Sequence, residues 1–224
     1  ASCLVGSEMC IRDSGCPDHI FPNWFATFQD KSMQIFSMKA LNRRAEKIPS
    51  MIKNLETKYK LVDDLTPYEE KGIFLESTSS MVFDRVNMIA YIGKSVRTNE
   101  NLAREWCSKN GFEIVIFETT SHRNNPIYHT DVLMFVGTDM IGLCDEVIND
   151  DYKEEVLSRA QKYHDVMLLT KDQILDFCGN ALEARNNKDE KYLIMSSRAQ
   201  KSLTSSQIVK IKKYYKDIIH ADIS

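Results

Sequence analysis

Residues 80–169 carry one pattern of hydrophobicity twice, and that repetition narrows the possible folds more than any other feature. The first copy has apolar runs at 80–83 and 88–92 around a turn at Asp84-Arg85-Val86-Asn87. A helix follows over 99–110, with Leu102, Ala103 and Trp106 on one face and Asn110-Gly111 as its C-terminal stop, then a strand at 113–118. The second copy reads strand 130–136, strand 140–144, helix 151–164 and strand 166–169. Two successive ββαβ units predict an α/β architecture built by internal repetition.

The flanks are less regular. Residues 33–39 alternate as a half-buried strand, and Ile48, Met51, Ile52 and Leu55 predict an amphipathic helix over 44–60. Asp63-Asp64, Pro67 and Gly72 predict a loop over 61–72, and 121–126 is a polar loop. After the second repeat come a short helix at 171–177, a strand at 192–195 and a last helix over 205–218, with Ile208, Ile211, Tyr214, Tyr215 and Ile218 at helical spacing.

Composition removes several classes of function. Lys plus Arg number 29 against 32 Asp plus Glu, a net charge of −3, so the basic surplus of a nucleic-acid binder is missing. The apolar runs Ile114-Val-Ile-Phe117 and Val132-Leu-Met-Phe-Val136 are far too short to cross a bilayer. No Gly-rich phosphate loop is present, which argues against a nucleotide cofactor. At 224 residues the chain can form one globular domain or two small ones.

The segment Leu4-Val-Gly-Ser-Glu-Met-Cys-Ile-Arg-Asp-Ser14 matches, in one reading frame, what the end of a transposon-based sequencing adapter would encode. Residues 1–14 are therefore set apart as artefactual, and 15–224 are taken as the genuine domain. Of six cysteines, Cys16, Cys107, Cys144 and Cys178 remain, without CxxC or Cys/His pairing. Such scatter points to a reducing, cytoplasmic setting rather than a disulfide framework or zinc site. Each reads first as a small buried hydrophobe, with Cys178 beside Gly179-Asn180 the one singled out for closer study.

Four segments hold more polar residues than strand ends need: Pro17-Asp-His-Ile-Phe-Pro-Asn-Trp24, Phe74-Leu-Glu-Ser-Thr-Ser-Ser80, Gly93-Lys-Ser-Val-Arg-Thr-Asn99 and Pro126-Ile-Tyr-His-Thr-Asp-Val-Leu-Met-Phe-Val-Gly137. In order and spacing they resemble the guanidine-modifying superfamily, the five-bladed ββαβ propellers called penteins. That superfamily includes arginine deiminases, dimethylarginine hydrolases and amidinotransferases. The citrulline-utilisation hydrolases, often described as amidinotransferases, are the most similar group. The resemblance implies an incomplete pentein catalytic domain with several blades present and both ends truncated.

It also implies roles. His129 would be the general acid/base, and Glu76 the carboxylate that orients its imidazole. Asp18 would grip the amidine nitrogens, with Asp131 as a second carboxylate. Arg97 would clamp the substrate's α-carboxylate, and Asn23 and Trp24 would line the pocket. This chain departs from the family in having Ser77-Thr78 where many relatives have Gly-Gly. It also has one residue fewer than their Pro-Asn-Asn-Trp.

In such enzymes a Cys thiolate attacks the amidine carbon. None of Cys16, Cys107, Cys144 and Cys178 matches its position, so the nucleophile is expected outside this fragment, which would be inactive alone. The function implied is hydrolysis of C–N bonds in arginine- or citrulline-like amidines. The alternatives are an amidinotransferase, with an amine in place of water, or a non-catalytic pentein-fold binding protein. The expected partner is a small guanidino or ureido amino acid, with no cofactor, no metal, no nucleic acid and no membrane. Oligomeric state is left open. Asp131, an anion, favours a cationic guanidinium over a neutral ureido group.

Overall fold

The computed structural model describes residue 16 and residues 21–222. The adapter-like stretch 1–14 and Asp18 lie outside the described residues. The described residues form two compact units, one reaching to Ser80 and taking in Val96–Glu105, the other made of Met81–Ser95 and the residues from Trp106 onward.

In the first unit β1 (Phe25–Thr27) pairs antiparallel with β2 (Ser32–Ile35), and β3 (Lys60–Asp64) runs parallel to β2. Helix α1 (Pro49–Glu56) lies between β2 and β3 in sequence. Its Met51, Ile52 and Leu55 pack against the buried trio Trp24, Ile35 and Met38.

The expected helix over 44–60 is broken. A short turn of helix at Leu41–Arg44 precedes α1, because Pro49 lacks an N–H and is accommodated only in a first helical turn. The expected loop over 61–72 is also corrected. Lys60–Asp64 is a strand of alternating exposure, followed by a 3-10 helix at Thr66–Lys71 that Gly72 ends in the left-handed conformation.

The second unit repeats the same topology. β4 (Met81–Asp84) and β5 (Ile89–Gly93) form an antiparallel hairpin, and β6 (Glu113–Phe117) runs parallel to β5. Helix α2 (Glu100–Asn110) lies between β5 and β6 in sequence. Then come β7 (Met134–Val136), β8 (Met140–Leu143), α3 (Asp150–Gln161) and β9 (Asp165–Leu168), again antiparallel then parallel. Finally β10 (Leu182–Arg185), β11 (Lys191–Ser196), α4 (Ser205–Ile211) and β12 (Asp217–Ala221) form a fourth such sheet.

The ββαβ unit therefore occurs four times among the described residues, twice as often as the hydrophobic pattern alone suggests. β10 was hidden because Leu-Glu-Ala-Arg has weak strand propensity. β12 was hidden because Tyr215 and Ile218 continue the helical spacing of α4. That helix ends at Ile211, and Tyr215 is nevertheless buried in the core. The strand expected over 130–136 begins instead as a 3-10 turn, Thr130–Val132, and extends only from Met134.

The core of the second unit is continuous across its sheets, through Tyr91, Leu133, Met134, Ile141, Leu143 and Leu193. Phe83, Trp106 and Phe112 form an aromatic cluster with ring centroids 4.9 to 5.6 Å apart. Gly142 faces Phe135 across the β7–β8 pair, and a Cβ there would meet the Phe135 ring at 2.1 Å. The ring fills the space a side chain would need. No described helix is long and apolar enough to cross a membrane.

Candidate active site

In the first unit, the segment leading to Glu76 lies antiparallel to the one carrying Arg97. Leu75 and Thr98 form an isolated bridge, and the Asn99 N–H donates to the Phe74 carbonyl at 2.7 Å. That register sets Arg97 opposite Glu76. Glu76 has 0% exposure, and a buried carboxylate must be paired. Its Oε2 accepts from Arg97 Nη1 at 3.2 Å, and its Oε1 accepts from the Lys39 backbone N–H at 2.8 Å. The Arg97 side chain remains 26% exposed.

Ser80 ties the two segments together. Its hydroxyl accepts from the Glu76 N–H at 3.1 Å and donates to the Arg97 carbonyl at 3.0 Å. Ser77 has φ +44° and donates its hydroxyl to the Phe25 carbonyl at 2.9 Å. The backbone thus takes up a left-handed shape suited to glycine, and the serine anchors it.

In the second unit, His129 is extended and immediately precedes the Thr130–Val132 turn, with 4% exposure. Its ring lies 4.8 Å, centroid to centroid, from that of Tyr128. The flanks are pinned: Ser95 Oγ donates to the Tyr128 carbonyl at 2.8 Å, and Thr130 Oγ1 accepts from the Gly93 N–H at 2.9 Å. Asp131 is half-buried, and its carbonyl accepts from Asn180 Nδ2 at 3.4 Å. Gly179 comes so close that a Cβ would sit 2.3 Å from the Val132 carbonyl oxygen.

Asn23 is half-buried just before β1, whereas Trp24 is fully buried with Ile35 and Met38. Trp24 is therefore part of the core of this unit. Glu76 and Arg97 are brought together in one unit; His129 and Asp131 belong to the other. What the sequence reading missed is the Lys39 N–H that holds Glu76, a backbone donor with no signature of its own.

The four described cysteines are all buried. Burial pushes the Cys144 thiol up to about 11, and burial likewise raises Cys178. Cys178 Sγ lies 2.9 Å from Ser202 Oγ and 3.3 Å from the Ala199 carbonyl. Neither Cys144 nor Cys178 has the setting of a reactive thiolate. No group of three or more His, Cys, Asp or Glu among the described residues could hold a metal ion.

Comparison with solved structures finds the same fold in other proteins. Cyanobacterial ArgZ, an arginine dihydrolase of the ornithine-ammonia cycle, superposes with a TM-score of 0.70 at 13% identity, covering 93% of this chain and 31% of that one. Its N-terminal domain, as a cysteine-to-serine mutant bound to substrate, gives a TM-score of 0.68 at 14% identity, covering 91% and 69%. A cysteine-to-serine mutant of DDAH from Pseudomonas aeruginosa in complex with citrulline gives 0.64 at 16% identity, covering 94% and 71%. The chain thus spans about a third of full-length ArgZ. No curated protein sequence matches it significantly.

The fold is mixed α/β, several small ββαβ sheets in succession, and it matches pentein structures. Residues 9–224 match the family described as N,N dimethylarginine dimethylhydrolase, eukaryotic, and the chain belongs to that family.

Proposed function

We propose that this chain is part of a hydrolase that cleaves C–N bonds of arginine- or citrulline-like amidines by a Cys-His-Glu mechanism. The observation that carries the reading is Glu76: a fully buried carboxylate, held by a guanidinium and a backbone N–H, in a segment that matches the family. A buried charge is costly to desolvate, and that cost is offset here by two fixed donors, which suits a carboxylate held in place to orient a catalytic imidazole.

In this reading a thiolate attacks the amidine carbon, and its lone pair forms the C–S bond. The C–N bond then breaks, and ammonia or an amine leaves with a proton from His129. Water, deprotonated by the same His129, next attacks that carbon and displaces the thiolate, giving a ureido product from a guanidino substrate. Glu76 orients and stabilises the charged imidazole. Asp18 and Asp131 take the amidine nitrogens, while Arg97 and Asn23 hold the rest of the amino acid. The nucleophilic thiol is none of Cys16, Cys107, Cys144 and Cys178, given their burial. In the natural gene product it comes from a part beyond this fragment, which closes a five-bladed propeller. Asp131 favours arginine-like over citrulline-like substrates.

The test is steady-state release of ammonia or amine by the product of the complete natural gene, with arginine, dimethylarginine and citrulline. Turnover should fall by about 10²-fold or more in His129→Ala and in Glu76→Gln, and Asp131→Asn should narrow the preference for guanidino substrates. Chloroacetamidine should label a cysteine other than these four. Full turnover by His129→Ala, or labelling confined to the four, would overturn the proposal.

A further inference from the structure

Residues 36–39 leave β2 as irregular chain, and Phe36, Ser37 and Met38 have no exposure. Buried backbone outside a sheet must find partners for its N–H and C=O groups, because water cannot supply them. Here charged side chains do much of that work. The Met38 N–H donates to Glu69 Oε1 at 2.7 Å, and Arg44 Nε donates to the Met38 carbonyl at 2.8 Å. Arg44 Nη2 reaches the Lys39 carbonyl at 3.4 Å, and Lys47 Nζ donates to the Phe36 carbonyl at 3.2 Å. Glu69 is in turn ion-paired with both Lys47 and Arg44. The next N–H along, that of Lys39, donates to Glu76.

A neighbouring pair does the same elsewhere in this unit. Arg43, ion-paired with the fully buried Glu46, donates to the Phe21 carbonyl at the head of the segment that carries Asn23. A buried network of this kind is poor evidence for stability, since well-packed apolar residues would serve equally well. What it supplies is a fixed direction for particular backbone groups.

We propose that Arg44, Lys47 and Glu69 are positioning residues: they set the backbone at 36–39 and thereby aim the Lys39 N–H that holds Glu76. The functional weight of this network rests on the reading of Glu76 as an active-site carboxylate. None of the three acts on substrate; each acts through the Lys39 backbone.

The test is amide NMR and hydrogen exchange on the 15N-labelled chain. Glu76→Gln serves as the reference for a Lys39 amide proton that has lost its carboxylate acceptor. In Arg44→Met and in Glu69→Gln, the Lys39 proton should move toward that reference, and its exchange should quicken about tenfold, as expected from a weakened charge-assisted bond. Arg44→Lys, which keeps the charge without the fork, should fall between wild type and Arg44→Met. Amides of β2 and of β5 should keep their protection. If Arg44→Met fails to fold, Glu69→Gln and Arg44→Lys carry the test.

An unchanged Lys39 amide in the variants that fold would overturn the proposal. So would equal loss of protection throughout the first unit, which marks a purely structural role. A Lys39 response combined with full turnover by Glu76→Gln in the natural gene product would leave the network standing and remove Glu76 from the active site.

Discussion

His164 Nε2 lies 2.7 Å from Asp84 Oδ2, with both side chains buried, so the last residue of β4 is joined to the residue that leads into β9. Asn87 completes the arrangement, with its backbone N–H on Asp84 Oδ1 at 3.0 Å and its side-chain amide on Oδ2 at 2.8 Å. Burial works to raise the Asp84 carboxyl, but the hydrogen bonds from His164 and Asn87 prevail and hold it below its ordinary value.

A carboxyl depressed in the folded state contributes stability above its unfolded pKa of about 4, and loses that contribution as pH falls through the lower folded value. Urea denaturation of the chain should therefore show an acid-side loss of stability below about pH 4 that is smaller in Asp84→Asn. At neutral pH, His164→Ala should destabilise by about 2–3 kcal/mol, the scale of a lost hydrogen bond to a buried charge. Equal acid slopes in wild type and Asp84→Asn would show that the pair has no such role.

Ser77 combines a left-handed backbone with a hydroxyl bond to Phe25. Glycine relieves the first and loses the second, terms of about 1 kcal/mol each and opposite sign. Ser77→Gly should thus stay within about 1 kcal/mol of wild type, while Ser77→Ala, which loses the bond and keeps the strain, should be the less stable of the two. Thermal melts of the three proteins check the order, and an alanine variant at least as stable as the glycine one contradicts it.

Gly179 has no room for a methyl group, since a Cβ would stand 2.3 to 2.8 Å from backbone atoms of Val132, Leu133 and Met134. Gly179→Ala should cost about 2 kcal/mol or more, typical of overpacking against atoms that cannot yield. It should also shift amide resonances at 129–134. A variant as stable as wild type with those resonances unmoved would rule out the close approach.

The burial of Cys16, Cys107, Cys144 and Cys178 predicts that iodoacetamide leaves them unmodified in the native chain and alkylates all four in urea. Peptide mass mapping reads this directly. Rapid native labelling of Cys178 would reopen its candidacy as a nucleophile.

Much of this protein is legible in the order of its amino acids. The runs around Ile89–Gly93 and Glu113–Phe117, with Trp106 between them on a helical face, leave little choice but a hairpin, a helix and a strand. Apolar side chains must leave water, and their spacing states which faces do so. The resemblance carried by Glu76, Arg97 and His129 is likewise visible there, because residue type and order along the chain are sequence properties. Strands β1 and β10 are not legible: three or four residues such as Leu182-Glu-Ala-Arg185 take strand form only because a neighbour supplies hydrogen bonds.

By itself, the sequence determined the α/β class, the repeating unit and the identities of the candidate chemical groups. Tertiary structure alone decided how often the unit recurs, because each outer strand depends on a partner strand elsewhere in the chain. It also decided what Glu76 meets. The Lys39 N–H, the Arg97 guanidinium and the Ser80 hydroxyl come from separate stretches of chain, and the directions of hydrogen bonds become defined only when packing fixes those stretches against one another.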